Sequence, residues 1–144
     1  IGTHGRSIYT APLADLEQYN KIKENAVALF EMPVQKASKR WGSSYSVWSK
    51  PFEPNIKISF YVAKADSYTL SIKTEEGNLL NQLKVKADVG FNEVTYHLNI
   101  DKKLAKTYLK KHKDVEKAKN DVYYLPKGKY QVSMNGEVTN FEIK

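Results

Sequence analysis

Residues 68–85 read YTLSIKTEEGNLLNQLKV, and the folding of this stretch decides the class of the whole chain. Tyr68, Leu70 and Ile72 alternate with Thr69, Ser71 and Lys73, the period of two that sets apolar side chains on one face of a strand. The polar quartet Glu75, Glu76, Gly77, Asn78 interrupts it, and Gly77 and Asn78 tolerate the positive φ that a tight turn requires. Residues 79–85 then return. Two strands joined by so short a turn must be antiparallel, so the chain reads as a β protein built from hairpins.

Working outward, the same period recurs. In IKISFYV (56–62), Ile56, Ile58, Phe60 and Val62 face one way and Lys57, Ser59 and Tyr61 the other. In FNEVTYHLNI (91–100), Val94, Tyr96, Leu98 and Ile100 form another alternating face. Near the end Tyr130, Val132 and Met134 alternate, Asn135-Gly136 is a strong hairpin signal, and Val138, Phe141 and Ile143 carry the return strand with a bulge expected near Asn140. A short apolar run at 26–30, ending at Glu31-Met32-Pro33, reads as the first strand. About seven short strands with turns roughly every 8 to 12 residues predict an all-β fold. The form expected is an Ig-like or fibronectin-III-like antiparallel β-sandwich over residues 26–144.

Two segments depart from the period of two. In DKKLAKTYLKKHKDVEKAK (101–119), Leu104, Tyr108, Val115 and Ala118 recur near helical spacing, which predicts one inserted helix with its Lys residues in water. Upstream, Pro12 suits a first helical turn, and Leu13, Leu16, Tyr19 and Ile22 form a short amphipathic stripe. Residues 12–25 therefore read as a helical linker.

The 144 residues suffice for one core but not two, and no apolar run approaches the roughly 18 residues of a membrane helix. The absence of Cys excludes a disulfide framework, thiolate metal sites and thiol nucleophiles. A net charge of +7 invites a polyanion reading, yet of the 23 basic residues only Arg6 and Arg40 are Arg, the residue type that base recognition and bidentate phosphate clamping favour. Residues 101–119 hold eight Lys against Asp101, Asp114 and Glu116, so five of the seven excess charges sit there. A solvated Lys-rich face is the simple account, and no specific nucleic-acid partner is expected.

Catalytic chemistry finds little purchase. His4, His97 and His112 are the only histidines, without the spacing of a metal site, and His97 alternates opposite Tyr96 and Leu98 toward solvent. Glu75-Glu76 sits in a turn, where the side chains diverge into water, and no nucleophile elbow, P-loop or dinucleotide fingerprint occurs. No catalytic residue, metal or cofactor is expected. The aromatic segment is the one candidate site: Trp41, Tyr45, Trp48 and Phe52 crowd an irregular stretch punctuated by Gly42, Pro51 and Pro54. Such rings either plug the open end of a sandwich core or stack on the faces of sugar rings. In the second case Trp41, Tyr45 and Trp48 are the ligand-binding residues and a glycan is the partner.

The opening, IGTHGRSIYTA, resembles the closing propeller strand of proteins with bacterial-neuraminidase-type or sortilin-like repeats, through Gly2, Thr3, His4, Gly5, Arg6, Ile8 and Tyr9. PLADLEQY resembles the linker that follows such propellers. The segments KISFYV, YTLSIKTEEGNLLNQL, GFNEVTYHL and LPKGKYQVSMNGEVTNFEI are similar to the Ig-like domains appended to them in exported bacterial proteins of glycosyl-hydrolase type. Tyr96 stands where those domains often have Trp, and the Asp box S-x-D-x-G-x-x-W does not occur. The resemblance implies that residues 1–11 are the last strand of a truncated propeller and residues 26–144 a non-catalytic accessory domain. It implies export, a partner in the parent's own propeller, catalytic residues on other blades, and self-association through residues 1–10 when the propeller is missing.

Overall fold

A computed structural model of the chain describes residues 26–113 and 115–144. The expected propeller strand at 1–11, the linker helix at 12–25 and the self-association through residues 1–10 lie outside the described residues. Within them the chain runs β1 (Val27–Leu29), β2 (Ile56–Val62), β3 (Asp66–Thr74), β4 (Leu79–Ala87), β5 (Gly90–Tyr96), α1 (Lys102–Lys111), β6 (Gly128–Met134) and β7 (Glu137–Ile143). The strands form two antiparallel sheets, ordered β1-β2-β5 and β4-β3-β6-β7.

The inward rows of both sheets meet in one apolar core, which makes the fold a β-sandwich. From the first sheet come Ile56, Ile58, Phe60, Val62 and Tyr96, and from the second Leu70, Ile72, Tyr130, Val132, Met134, Phe141 and Ile143, each at most 4% exposed. The alternation in the sequence is thus the alternation of burial, and this burial is the main favourable term in folding. The β3–β4 turn closes as its residues suggest: Gly77 has φ +87°, and Asn78 N donates to Thr74 Oγ1 at 3.1 Å. At the second hairpin Asn135 and Gly136 both take positive φ, as a two-residue turn between twisted strands requires.

Three expectations are corrected. The β6–β7 register is unbroken from Gly128↔Ile143 to Met134↔Glu137, so there is no bulge at Asn140. Parity then turns Val138 outward, and Thr139 takes the inner side, its Oγ1 donating to Phe30 O at 3.2 Å. The bulge instead lies between β3 and β4, where the register shifts after Ile72↔Asn81, so that Leu80 and Asn81 are buried in succession. Finally, β5 ends at Tyr96: Leu98 adopts φ +54°, and Leu98 and Ile100 are buried by a turn of the chain rather than by a continuing strand.

The inserted helix is also shorter than residues 101–119. Asp101 caps it, its carboxylate accepting from Lys103 N at 2.8 Å, and Ala105 and Tyr108 are its buried residues. His112, at φ −122° and ψ 73°, ends it. Val115 and Ala118 are not on its stripe, because residues 117–123 are committed to a turn: Lys117 pairs with Tyr123, Ala118 N donates to Val122 O at 2.9 Å, and Asp121 takes φ +64°. Tertiary pairing here overrides helical spacing.

After Leu98 the chain threads between β4 and residues 123–125. Asp101 N donates to Leu80 O at 2.9 Å, Ile100 N to Tyr123 O at 2.8 Å, and Leu125 N to Leu98 O at 2.8 Å. The buried Asn81 joins this crossing, donating from Nδ2 to Asn99 O at 2.9 Å, and the Tyr96 hydroxyl donates to the same carbonyl at 2.6 Å. A buried amide and phenol are thereby satisfied, as a core of this density requires.

Burial pushes the Tyr96 and Tyr130 hydroxyls well above the ordinary tyrosine range, since it disfavours the phenolate; the Asn81 amide only partly opposes this at Tyr96. Both groups keep their protons in the folded chain at pH values where an unfolded chain loses them. Their contribution is therefore intact below about pH 10 and declines as pH rises beyond it, by about 1.4 kcal/mol per pH unit for each tyrosine. Urea unfolding measured at rising alkaline pH should show this decline, made shallower by one share in Y130F; the same slope in both proteins would contradict it.

Candidate functional site

Residues 38–52 leave the sandwich as a loop with a built neck and a projecting tip. The neck closes where Gly42 N donates to Phe52 O at 2.8 Å and Phe52 N to Ser43 O at 2.9 Å. Below it, Trp41 is half-buried against the main core and meets Tyr124 edge-on, centroids 6.0 Å apart. The Tyr124 hydroxyl accepts from Asn120 Nδ2 at 2.8 Å, which ties the base of the loop to the turn that follows α1.

Gly42 is the tightest point of this base. It has φ +73°, and an added Cβ would lie 2.4 Å from Asn120 Oδ1 and 2.6 Å from Ala118 Cβ. Gly42→Ala should cost about 1–2 kcal/mol for the left-handed backbone alone, with steric overlap in addition. Unfolding in urea checks this, and a neutral result would mean that the neck does not pack as described.

Beyond the neck, three serines, Ser44, Ser46 and Ser49, lie in the tip. Ser46 and Ser49 form a turn in which Ser49 N donates to Ser46 O at 3.1 Å, Ser46 N to Ser49 Oγ at 2.8 Å, and Ser49 Oγ to Ser46 O at 3.0 Å. Val47 and Trp48 occupy its two central positions, so the staple that fixes the turn presents both side chains outward. Val47 and Trp48 are each 96% exposed and Tyr45 is 94% exposed.

The three sequence-predicted site residues therefore separate. Trp41 belongs to the base and packs on the core, while Tyr45 and Trp48 belong to the tip. Of the two roles open to the aromatics, the plug is overturned for Tyr45, Trp48 and Phe52: the neck closes the loop short of the core, and even Phe52 is 55% exposed. Sequence reasoning missed Val47 and the serine staple. The signal was present as S-V-W-S, an apolar pair between two residues that bond local backbone.

The charge within the loop segment itself is one-sided. Between Met32 and Phe52 the chain carries Lys36, Lys39, Arg40 and Lys50 and no carboxylate. All four cations are exposed. The first acidic residue after the neck, Glu53, has its Oε2 3.8 Å from His97 Nδ1, both on the surface.

Elsewhere the titratable groups do structural work. His112 stacks on Tyr108 with centroids 4.1 Å apart. Lys117 Nζ lies 2.7 Å from Asp121 Oδ1, and that hydrogen bond raises the lysine and lowers the aspartate from their ordinary values, in opposite directions and away from neutrality. Such exposed pairs contribute little stability. Among the described residues no group of three or more His, Asp or Glu side chains is placed to hold a metal ion, and no helix is long and apolar enough to cross a membrane.

No protein-family model matches the chain, and no curated protein matches it.

Proposed function

We propose that this chain is a non-catalytic accessory module of Ig-like form, the C-terminal part of an exported β-propeller protein of glycosyl-hydrolase type, and that it makes contact with its surroundings through the loop at 38–52. The observation that carries the contact role is the stapled turn holding Val47 and Trp48 almost fully in water. Large apolar side chains lose by such exposure unless a partner covers them, and contiguous patches of this kind mark interaction sites.

Three features support the Ig-like form. The second strand lies between the first and the fifth, and the third between the fourth and the sixth, an order that fits a fibronectin-III-like sandwich. Residues 35–37 run parallel to β7, with Gln35 N donating to Glu142 O and Lys144 N to Gln35 O, so the first segment serves both sheets. Tyr130, near the start of β6, donates its hydroxyl to Pro126 O at 2.6 Å, the geometry of a tyrosine corner.

The propeller parent is tested by the coding sequence upstream of Ile1. Asp boxes at propeller spacing there support it, and an upstream region without them contradicts it. The second reading is a carbohydrate-binding module, favoured by the exposed rings of Tyr45 and Trp48. Affinity electrophoresis of the chain and its W48A variant through polysaccharide gels tests it. Retardation that disappears in W48A supports the reading, and equal mobility of the two with and without polysaccharide contradicts it.

A further inference from the structure

We infer that the tip of the 38–52 loop is a shallow anchor for an anionic lipid surface; this rests on the contact role proposed for the loop. Three observations carry it. The first is shape. At exposures of 94–96%, Tyr45, Val47 and Trp48 form a convex projection rather than the floor of a groove. A convex apolar wedge is covered only by a partner with a matching hollow or by a medium that deforms around it, and the headgroup region of a bilayer is such a medium.

The second is chemistry. Trp and Tyr combine an apolar ring with a hydrogen-bonding edge and favour the membrane–water boundary. Val47, at the apex beside Trp48, has no use in sugar recognition, which asks for flat rings with polar groups around them, but adds to the area that lipid would cover. Because the Ser46–Ser49 staple already fixes the turn, little conformational freedom is lost on insertion.

The third is charge. Lys39, Arg40 and Lys50 stand close to the wedge in sequence, Lys36 further back, and no carboxylate intervenes between Met32 and Phe52. Basic residues just outside an apolar insertion are drawn to the negative surface potential of anionic lipid. Neither signal alone holds a protein well at a membrane, and shallow insertion together with charge is the combination that does.

The experiment is co-sedimentation of the full chain with phosphatidylcholine vesicles, with and without phosphatidylglycerol as a third of the lipid. It is read alongside the fluorescence difference between the unmodified chain and W48F, which isolates Trp48 from Trp41. The expected result is binding that requires the anionic lipid and a blue shift of Trp48 emission on binding. Affinity should fall by about tenfold or more in V47S/W48S, and comparably in K39Q/R40Q/K50Q. Undiminished vesicle binding by V47S/W48S would overturn the inference in favour of general attraction by surface lysines, such as those of α1. No vesicle binding, with polysaccharide retardation that depends on Trp48, would overturn it while leaving the loop as a contact element for glycan. Absence of tip-dependent binding to either probe would overturn the inference and the contact role together.

Discussion

Replacing Phe60 by alanine is expected to cost about 3–5 kcal/mol of unfolding free energy. Phe60 lies in the middle of the first sheet, 1% exposed, on a strand flanked on both sides, paired with Leu29 of β1 and Asn92 of β5. Its ring reaches a core filled from the facing sheet by side chains such as Leu70 and Val132, both fully buried. Strands hydrogen-bonded on either side cannot move inward to fill the space, so the penalty contains the lost burial and the cavity together. A domain of this size has about 5–15 kcal/mol in total, so the variant should sit close to unfolding at ambient temperature. Urea titration followed by circular dichroism measures it. A loss below about 1 kcal/mol would mean that the two sheets do not face each other through this residue.

The second large effect is expected at Tyr130, where two variants divide the contribution of one side chain. Tyr130→Ala removes a ring that is 3% exposed and stacked on Phe141 at 5.3 Å, together with the hydroxyl bond to Pro126 O. A loss of about 3–5 kcal/mol is expected, the range for deleting a buried aromatic. Tyr130→Phe keeps the stack and deletes only the bond, leaving the Pro126 carbonyl without that donor, and should cost about 1–3 kcal/mol. The same bond fixes the path by which the long β5–β6 connection re-enters the sandwich. Equal stability of Y130F and the unmodified chain would remove the corner from the account and with it one of the three supports for the Ig-like form.

The alternating strands were legible because one residue's parity decides its burial. Ile56, Ile58, Phe60 and Val62 are assigned inward by their alternation with Lys57, Ser59 and Tyr61, and each is at most 2% exposed. Parity fails wherever the register shifts, and the sequence does not mark that position. No bulge interrupts β7 at Asn140, so Val138 faces water, whereas a register shift after Ile72 buries Leu80 and Asn81 in succession. Helical spacing runs on past the end of α1 because Val115 and Ala118 fall near it, whereas the conformation of residues 117–123 is set by pairing with one another.

The aromatic loop was harder to read for a physical reason. A ring that plugs a core and a ring that projects from it have the same hydrophobicity. Their difference here lies in the Gly42–Phe52 neck and in two serines, which composition counts only as polar spacers. Only the closing of the neck tells Trp41, packed on Tyr124, from Trp48, seven residues later and in solvent.

The most direct test of the contact role is therefore a measurement of stability. If Val47 and Trp48 are held out for a partner, removing them takes nothing from the fold. Urea unfolding of V47S/W48S should give a free energy within about 0.5 kcal/mol of the unmodified chain, as for a surface substitution, and an unchanged m-value. A loss of about 2 kcal/mol or more would show that these side chains are packed in solution, and would contradict the claim that the loop presents them.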